Sequence, residues 1–179
     1  MADRSNLVRL SRAMAFLATI GAVLLPLLDA FLYIAPGTYK ALSLGADHMG
    51  GMLNDGVPLP YRLAALAFSL GATAFTVWAL WSLRTLFLRY AAGEVFSPAA
   101  LKALNNVAIA LFASVIVGFV ARAPISVLLT WPLGPEHRSL SLEIGSDDVA
   151  TLFIAATVLL IARVMHEAGR IADEHAKFV

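Results

Sequence analysis

Residues 13–34 read AMAFLATIGAVLLPLLDAFLYI, a run in which Asp29 is the sole charged side chain. At about 1.5 Å of rise per helical residue, such a run is long enough to cross the roughly 30 Å hydrocarbon core of a bilayer. It stops at Ala35-Pro36-Gly37, and Arg4, Arg9 and Arg12 precede it. Basic residues before an apolar run also mark a cleaved secretory leader. Here the run continues past Asp29 to Ile34, longer than a leader's apolar segment, and no convincing small-x-small cleavage site follows. A retained spanning helix is therefore expected.

Three further stretches have the same character. One follows Pro58-Leu59-Pro60 and runs from about Tyr61 to Leu88. Another runs from about Ala99 to Thr130, before Trp131-Pro132. The last begins near Asp148, stays apolar to Val164 and continues as a polar helix toward His175. In lipid, backbone groups must bond within their own segment, so each run is expected to be helical. None alternates in the manner of a membrane β-barrel strand. The expected fold is an all-α membrane protein, a four-transmembrane-helix bundle forming one domain over residues 1–179. Its helices lie at about 13–34, 61–88, 99–130 and 148–175, with external loops at 35–60 and 131–147.

Composition agrees. The chain is 60% hydrophobic and 14% charged over 179 residues, with a mean hydropathy of +0.80. A soluble domain is about 45–50% apolar and about 25% charged, and one core of this size could not hide the excess. The formal net charge of +1 gives no nucleic-acid-binding surface. The absence of cysteine excludes disulfides, thiolate metal sites, cysteine nucleophiles and c-type haem attachment.

Lysine and arginine placement orients the helices. Arg4, Arg9, Arg12, Arg84, Arg89, Lys102, Arg163, Arg170 and Lys177 fall on one side, nine of the thirteen. Lys40, Arg62, Arg122 and Arg138 fall on the other. The richer side is expected to be cytoplasmic, which puts both termini there. Asp47, Asp55, Glu136, Glu143, Asp147 and Asp148 lean outward, and Tyr33, Tyr61 and Trp131 sit near the outer interface, with Trp78, Trp81 and Tyr90 near the inner one.

Local signals mark the boundaries. Phe96-Ser97-Pro98 reads as an N-cap serine followed by proline at the first helical position. Gly145-Ser146-Asp147-Asp148 places a cap and two carboxylates at the start of the last helix, where its dipole favours them. In the second external loop, Ser139-Leu140-Ser141-Leu142-Glu143-Ile144 alternates like a strand, and Tyr39-Lys40-Ala41-Leu42-Ser43-Leu44 does so more weakly. The two are expected to pair as a small external β-ribbon.

Small residues recur at helical spacing. Ala65, Ser69, Ala72, Thr76 and Ala79 form a stripe on the second helix; Ser114 and Gly118 on the third, and Ala18 and Ala22 on the first, repeat it. In lipid such stripes let helices approach closely, within one bundle or between copies in a homo-oligomer. Asp29 stands out because an ionised carboxylate at membrane depth costs at least about 2.5–3.5 kcal/mol on insertion scales. It is expected to face the bundle interior, with Arg122 at comparable depth, or Arg62, as its partner. Pro26 and Pro124 lie close to Asp29 and Arg122, where a kink would free backbone carbonyls. The pair is either functional, as a ligand-sensing or proton-responsive site, or structural; or else Asp29 lies in a wet site and the arginine snorkels outward.

Enzyme chemistry finds no support. The external acids with His48 or His137 match no metal-ligand template. His166-Glu167 opens like a zinc-protease motif, but Arg170 stands where the second histidine belongs. No catalytic triad, phosphate loop or dinucleotide fingerprint is present, so neither catalytic residues nor cofactors are expected. The inner side offers two substantial segments, Arg89–Pro98 and Met165–Val179. Phe96, Phe178 and Val179 are apolar in polar surroundings there, and either tuck against the bundle and headgroups or dock a partner.

These same segments resemble domain-of-unknown-function family 2975, a family of small bacterial membrane proteins. Its turn after the second helix, glycine to aromatic-Ser/Thr-Pro, is matched by Gly93-Glu94-Val95-Phe96-Ser97-Pro98 and Leu104. Its apolar last helix leading into a Glu-Ala/Gly-x-x-Leu/Ile-x-x-Glu tail with a terminal apolar pair is matched by Glu167-Ala168-Gly169-Arg170-Ile171-Ala172-Asp173-Glu174 and Phe178-Val179. The match is good over the C-terminal half; the first half agrees in hydrophobic layout. Members are often encoded beside a small helix-turn-helix regulator, so the resemblance implies an inner-membrane protein that restrains or informs such a transcriptional regulator. Phe96, Glu167, Arg170, Glu174 and Phe178 are then the candidate docking residues. A small transporter or channel-like protein, and a structural, self-associating membrane protein, are the alternative readings.

Overall fold

The computed structural model describes residues 2–41, 53, 56–137, 140, 142 and 144–176. Four long helices account for most of them. These are α1 (Ala2–Ile34), α3 (Leu59–Ala91), α4 (Pro98–Thr130) and α5 (Ser146–Ala176), with the short α2 (Pro36–Ala41) after the first. All four are long and apolar enough to cross a membrane; the qualifying segments have mean hydropathies between 1.8 and 2.1. Two 3-10 turns, Trp131–Leu133 and Pro135–His137, follow α4.

The distribution of side-chain sizes fits lipid as the solvent. Large apolar residues face outward: Phe16 is 67% exposed and Phe153 74%. Alanines are turned inward, with Ala65 and Ala155 at 0%. Where lipid is as apolar as leucine, no hydrophobic gain comes from hiding the large groups. Small residues at contacts instead allow close backbone approach and dispersion contact. Of the expected stripe, Ala18, Ala22, Ala65 and Ala79 are buried, and Ser69, Ala72, Thr76, Ser114 and Gly118 are partly buried.

The chain divides into two compact units. One holds α1 through Val23, α3 from Phe75, α4 through Ala113, and α5. Its core joins Leu86, Ala100, Ala103, Leu104 and Ala162, with Leu83, Tyr90 and Val158 packed against them. Gly21 meets Leu80 closely here, for an added Cβ would stand 3.2 Å from the Leu80 Cδ1. The other unit holds the remainder of α1, α2, the first half of α3, the second half of α4 and the turns that follow. Tyr33, Leu53, Val57, Ala65, Leu66, Ala121, Ile125 and Leu129 form its core.

Helix ends extend beyond the apolar runs. The first helix begins at Ala2 rather than near Ala13, and the second at Leu59 rather than Tyr61. Hydropathy locates only the lipid-spanning part, whereas a nucleated helix propagates into polar sequence at one hydrogen bond per residue. The Pro58 carbonyl accepts from the Tyr61 and Arg62 amides at 3.1 and 3.3 Å, closing the first turn of α3. Pro26 and Pro124 both lie within continuous helices.

The expected ribbon fails where its first strand should begin, at Tyr39–Ala41. Tyr39 and Ala41 belong to α2, whose turn is closed by the Tyr39 amide donating to the Ala35 carbonyl at 3.0 Å. Pro36 explains the outcome: its fixed φ suits the first helical position, and that local preference overrides a weak alternation. The Tyr39 ring stays beside Phe31, centroids 6.1 Å apart. Residues 42–44, Ser139, Ser141 and Glu143 lie outside the described residues, among which there is no strand.

Candidate functional site

Asp29 and Tyr33 are one helical turn apart on α1, and Ser69 and Thr73 are one turn apart on α3, so each pair shares a face. The two faces meet. Ser69 donates its hydroxyl to both Asp29 oxygens, at 2.8 Å to Oδ1 and 2.9 Å to Oδ2. Thr73 donates to Oδ2 at 2.8 Å. Tyr33, 1% exposed, lies next to Ser69, so its side chain helps to close this contact.

The sequence suggested Arg122 or Arg62 as the partner of Asp29. Among the described residues, the hydrogen-bond partners of the carboxylate are Ser69 and Thr73. Arg62 donates from NH1 to the Ile34 carbonyl at 3.2 Å, capping the C-terminal end of α1, where the helix dipole is negative. Arg122 is half-buried on α4 and engaged in contacts of its own. The sequence puts Ser69 in the packing stripe and Tyr33 at the outer interface, and does not single out Thr73.

The opposite helix ends carry a second site. Helix α3 closes with a Schellman motif: Gly93 donates to the Tyr90 carbonyl at 3.0 Å and Glu94 to the Arg89 carbonyl at 3.0 Å. Gly93 takes φ = 81°, which a side chain would strain. Arg89 NH1 reaches Glu94 Oε2 at 2.8 Å across the same turn. Three residues on, the Ser97 hydroxyl accepts from the Ala100 amide at 3.2 Å and donates to the Glu94 carbonyl at 3.0 Å. The expected N-cap is therefore in place, and the turn is fastened at both ends. Phe96, between the fastenings, is 56% exposed.

A groove of about 650 Å³ opens beside this turn, between the start of α4 and the far part of α5. Phe96, Pro98 and Leu101 supply an apolar wall. Arg163, His166 and Arg170, spaced to share one face of α5, line it together with Lys102 of α4. Ala162 is at once groove lining and core; with Ala100 and Ala103 it lets α4 and α5 approach. Arg170 is tied to Glu167 through NH2 to Oε1 at 2.5 Å and Nε to Oε2 at 3.2 Å.

Of the residues singled out as a docking surface, Phe96 and Arg170 come together at this groove, and Glu167 joins them through Arg170. Glu174 lies near the end of α5 with its side chain outside the described ones, and Phe178 is outside the described residues. Among the described residues no group of three or more histidine, aspartate and glutamate side chains is placed to hold a metal ion.

Comparison with known proteins gives one match. A family model described as a protein of unknown function (DUF2975) covers residues 44–179. Neither a curated protein nor a solved structure matches the chain.

Proposed function

Since the chain belongs to the DUF2975 family of proteins of unknown function, we propose that it is a multi-pass inner-membrane protein whose working surface is the basic end of its helices. On this reading that end faces the cytoplasm and receives a soluble helix-turn-helix regulator of the kind often encoded beside family members. The excess of lysine and arginine at that end supports the orientation. The observation that carries the docking reading is Phe96, 56% exposed on a turn fastened by Gly93, Glu94 and Ser97, beside Arg170. Aromatic residues and arginine are enriched at protein interfaces, and preorganisation lowers the entropy lost on docking.

The test is co-purification of the full-length protein, from its native membrane, with the regulator encoded nearest to it. F96A/R170A should lose the regulator while the helices stay folded. Retention by that variant, or no regulator retained by the unaltered protein, contradicts the reading.

A second reading, a small cation transporter, draws on Asp29 ringed by the hydroxyls of Ser69 and Thr73. Carboxylate and hydroxyl oxygens are hard donors of the kind small cations prefer. D29N should then abolish cation flux in proteoliposomes, and an unchanged flux removes the reading.

A further inference from the structure

We propose that the groove between α4 and α5 holds the phosphate-bearing headgroup of an anionic phospholipid, gripped by Lys102 and Arg163. The charges there are unequally committed. Among the described residues, the ion pairs at this end are Arg89 with Glu94 and Arg170 with Glu167. Neither pair includes Lys102 or Arg163, although both side chains line the groove and are exposed. His166 adds a further nitrogen to the lining. The groove therefore combines two cations outside these ion pairs, one from each helix, with the apolar side chains of Phe96, Pro98 and Leu101. That is the polarity of a phospholipid where its headgroup meets the glycerol and upper acyl chain.

The location agrees. Lys102 lies about one turn inside the start of α4, and Arg163 lies close to where the apolar part of α5 gives way to polar sequence. Both stand at the end of a spanning segment, at the level where long basic side chains reach lipid phosphates. Basic pockets between membrane helices bind anionic headgroups by this geometry. The bland alternative is that both cations merely point into water, and it predicts no preference among lipids. The regulator reading depends on Phe96 and Arg170, whereas the headgroup depends on Lys102 and Arg163, so the two can be broken separately.

The experiment is native mass spectrometry of the full chain released from nanodiscs of equal phosphatidylglycerol and phosphatidylcholine. The unaltered protein should retain phosphatidylglycerol in preference to phosphatidylcholine. K102Q/R163Q should lose that preference, by roughly fivefold for each charge at the membrane surface. K102R/R163K, which keeps both charges, should retain it and guards against a folding defect. R89Q, altered outside the groove, should retain it as well. Equal retention of the two lipids by the unaltered protein overturns the proposal, as does an equal loss in R89Q. If K102Q/R163Q keeps its lipid preference but sheds the regulator, the groove seats a protein and the headgroup proposal fails.

Discussion

The Ser69 hydroxyl of α3 donates to both carboxylate oxygens of Asp29 on α1, at 2.8 and 2.9 Å. A charge that costs several kcal/mol to place in lipid is thus met by hydroxyls from a neighbouring helix, with Thr73 on the same carboxylate and Tyr33 next to Ser69. Interhelical hydrogen bonds in membranes contribute about 0.6 kcal/mol on average and up to about 1.7 kcal/mol.

The first prediction follows from that contact. In a double-mutant cycle of D29A and S69A, read by denaturation in mixed micelles, the coupling should reach about 1 kcal/mol. Single substitutions are poorer guides, because removing Asp29 also relieves its insertion cost. Additivity within about 0.3 kcal/mol would show the pair to be energetically independent.

Gly93 provides the second. Its φ of 81° is costly for alanine but accessible to asparagine, while open space around it removes any steric objection. Gly93→Ala should therefore destabilise by about 1 kcal/mol and Gly93→Asn by clearly less. Equal effects of the two would remove backbone conformation as the reason for glycine here.

Close packing provides the third. A Cβ on Gly118 would sit 4.0 Å from that of Ala72, ordinary van der Waals contact. Gly118→Ala should leave the protein folded and equally stable. Gly118→Leu should separate α3 from α4 and lower the melting temperature in detergent. A tolerated leucine would contradict close approach at this position.

The spanning helices were legible because lipid imposes one requirement on sequence, a long apolar run, and four runs satisfy it. The turn at Gly93–Pro98 was legible at Ser97, because capping is a local interaction with a compact signature. Other features were less so. Asp29 announced itself by its cost, but its partners depend on which faces of α1 and α3 meet, and hydropathy does not encode facing. Of the two arginines expected as its partner, Arg122 and Arg62, the second caps α1. Alternation from Tyr39 onward suggests a strand, but over Tyr39–Ala41 Pro36 has already set a helical turn. The groove is a product of two helices distant in sequence, so its residues could be named singly as exposed groups without their convergence being visible.

Four crossings with the basic helix ends inside are the central claim, and single-cysteine labelling in intact cells tests them directly. The chain has no cysteine of its own, so the background is clean. Thr38→Cys and Glu136→Cys should react with a membrane-impermeant maleimide before lysis. Ala92→Cys and Ala168→Cys should react only after the membrane is opened. Labelling of Ala92→Cys or Ala168→Cys in intact cells, or protection of either outer position, would contradict the account.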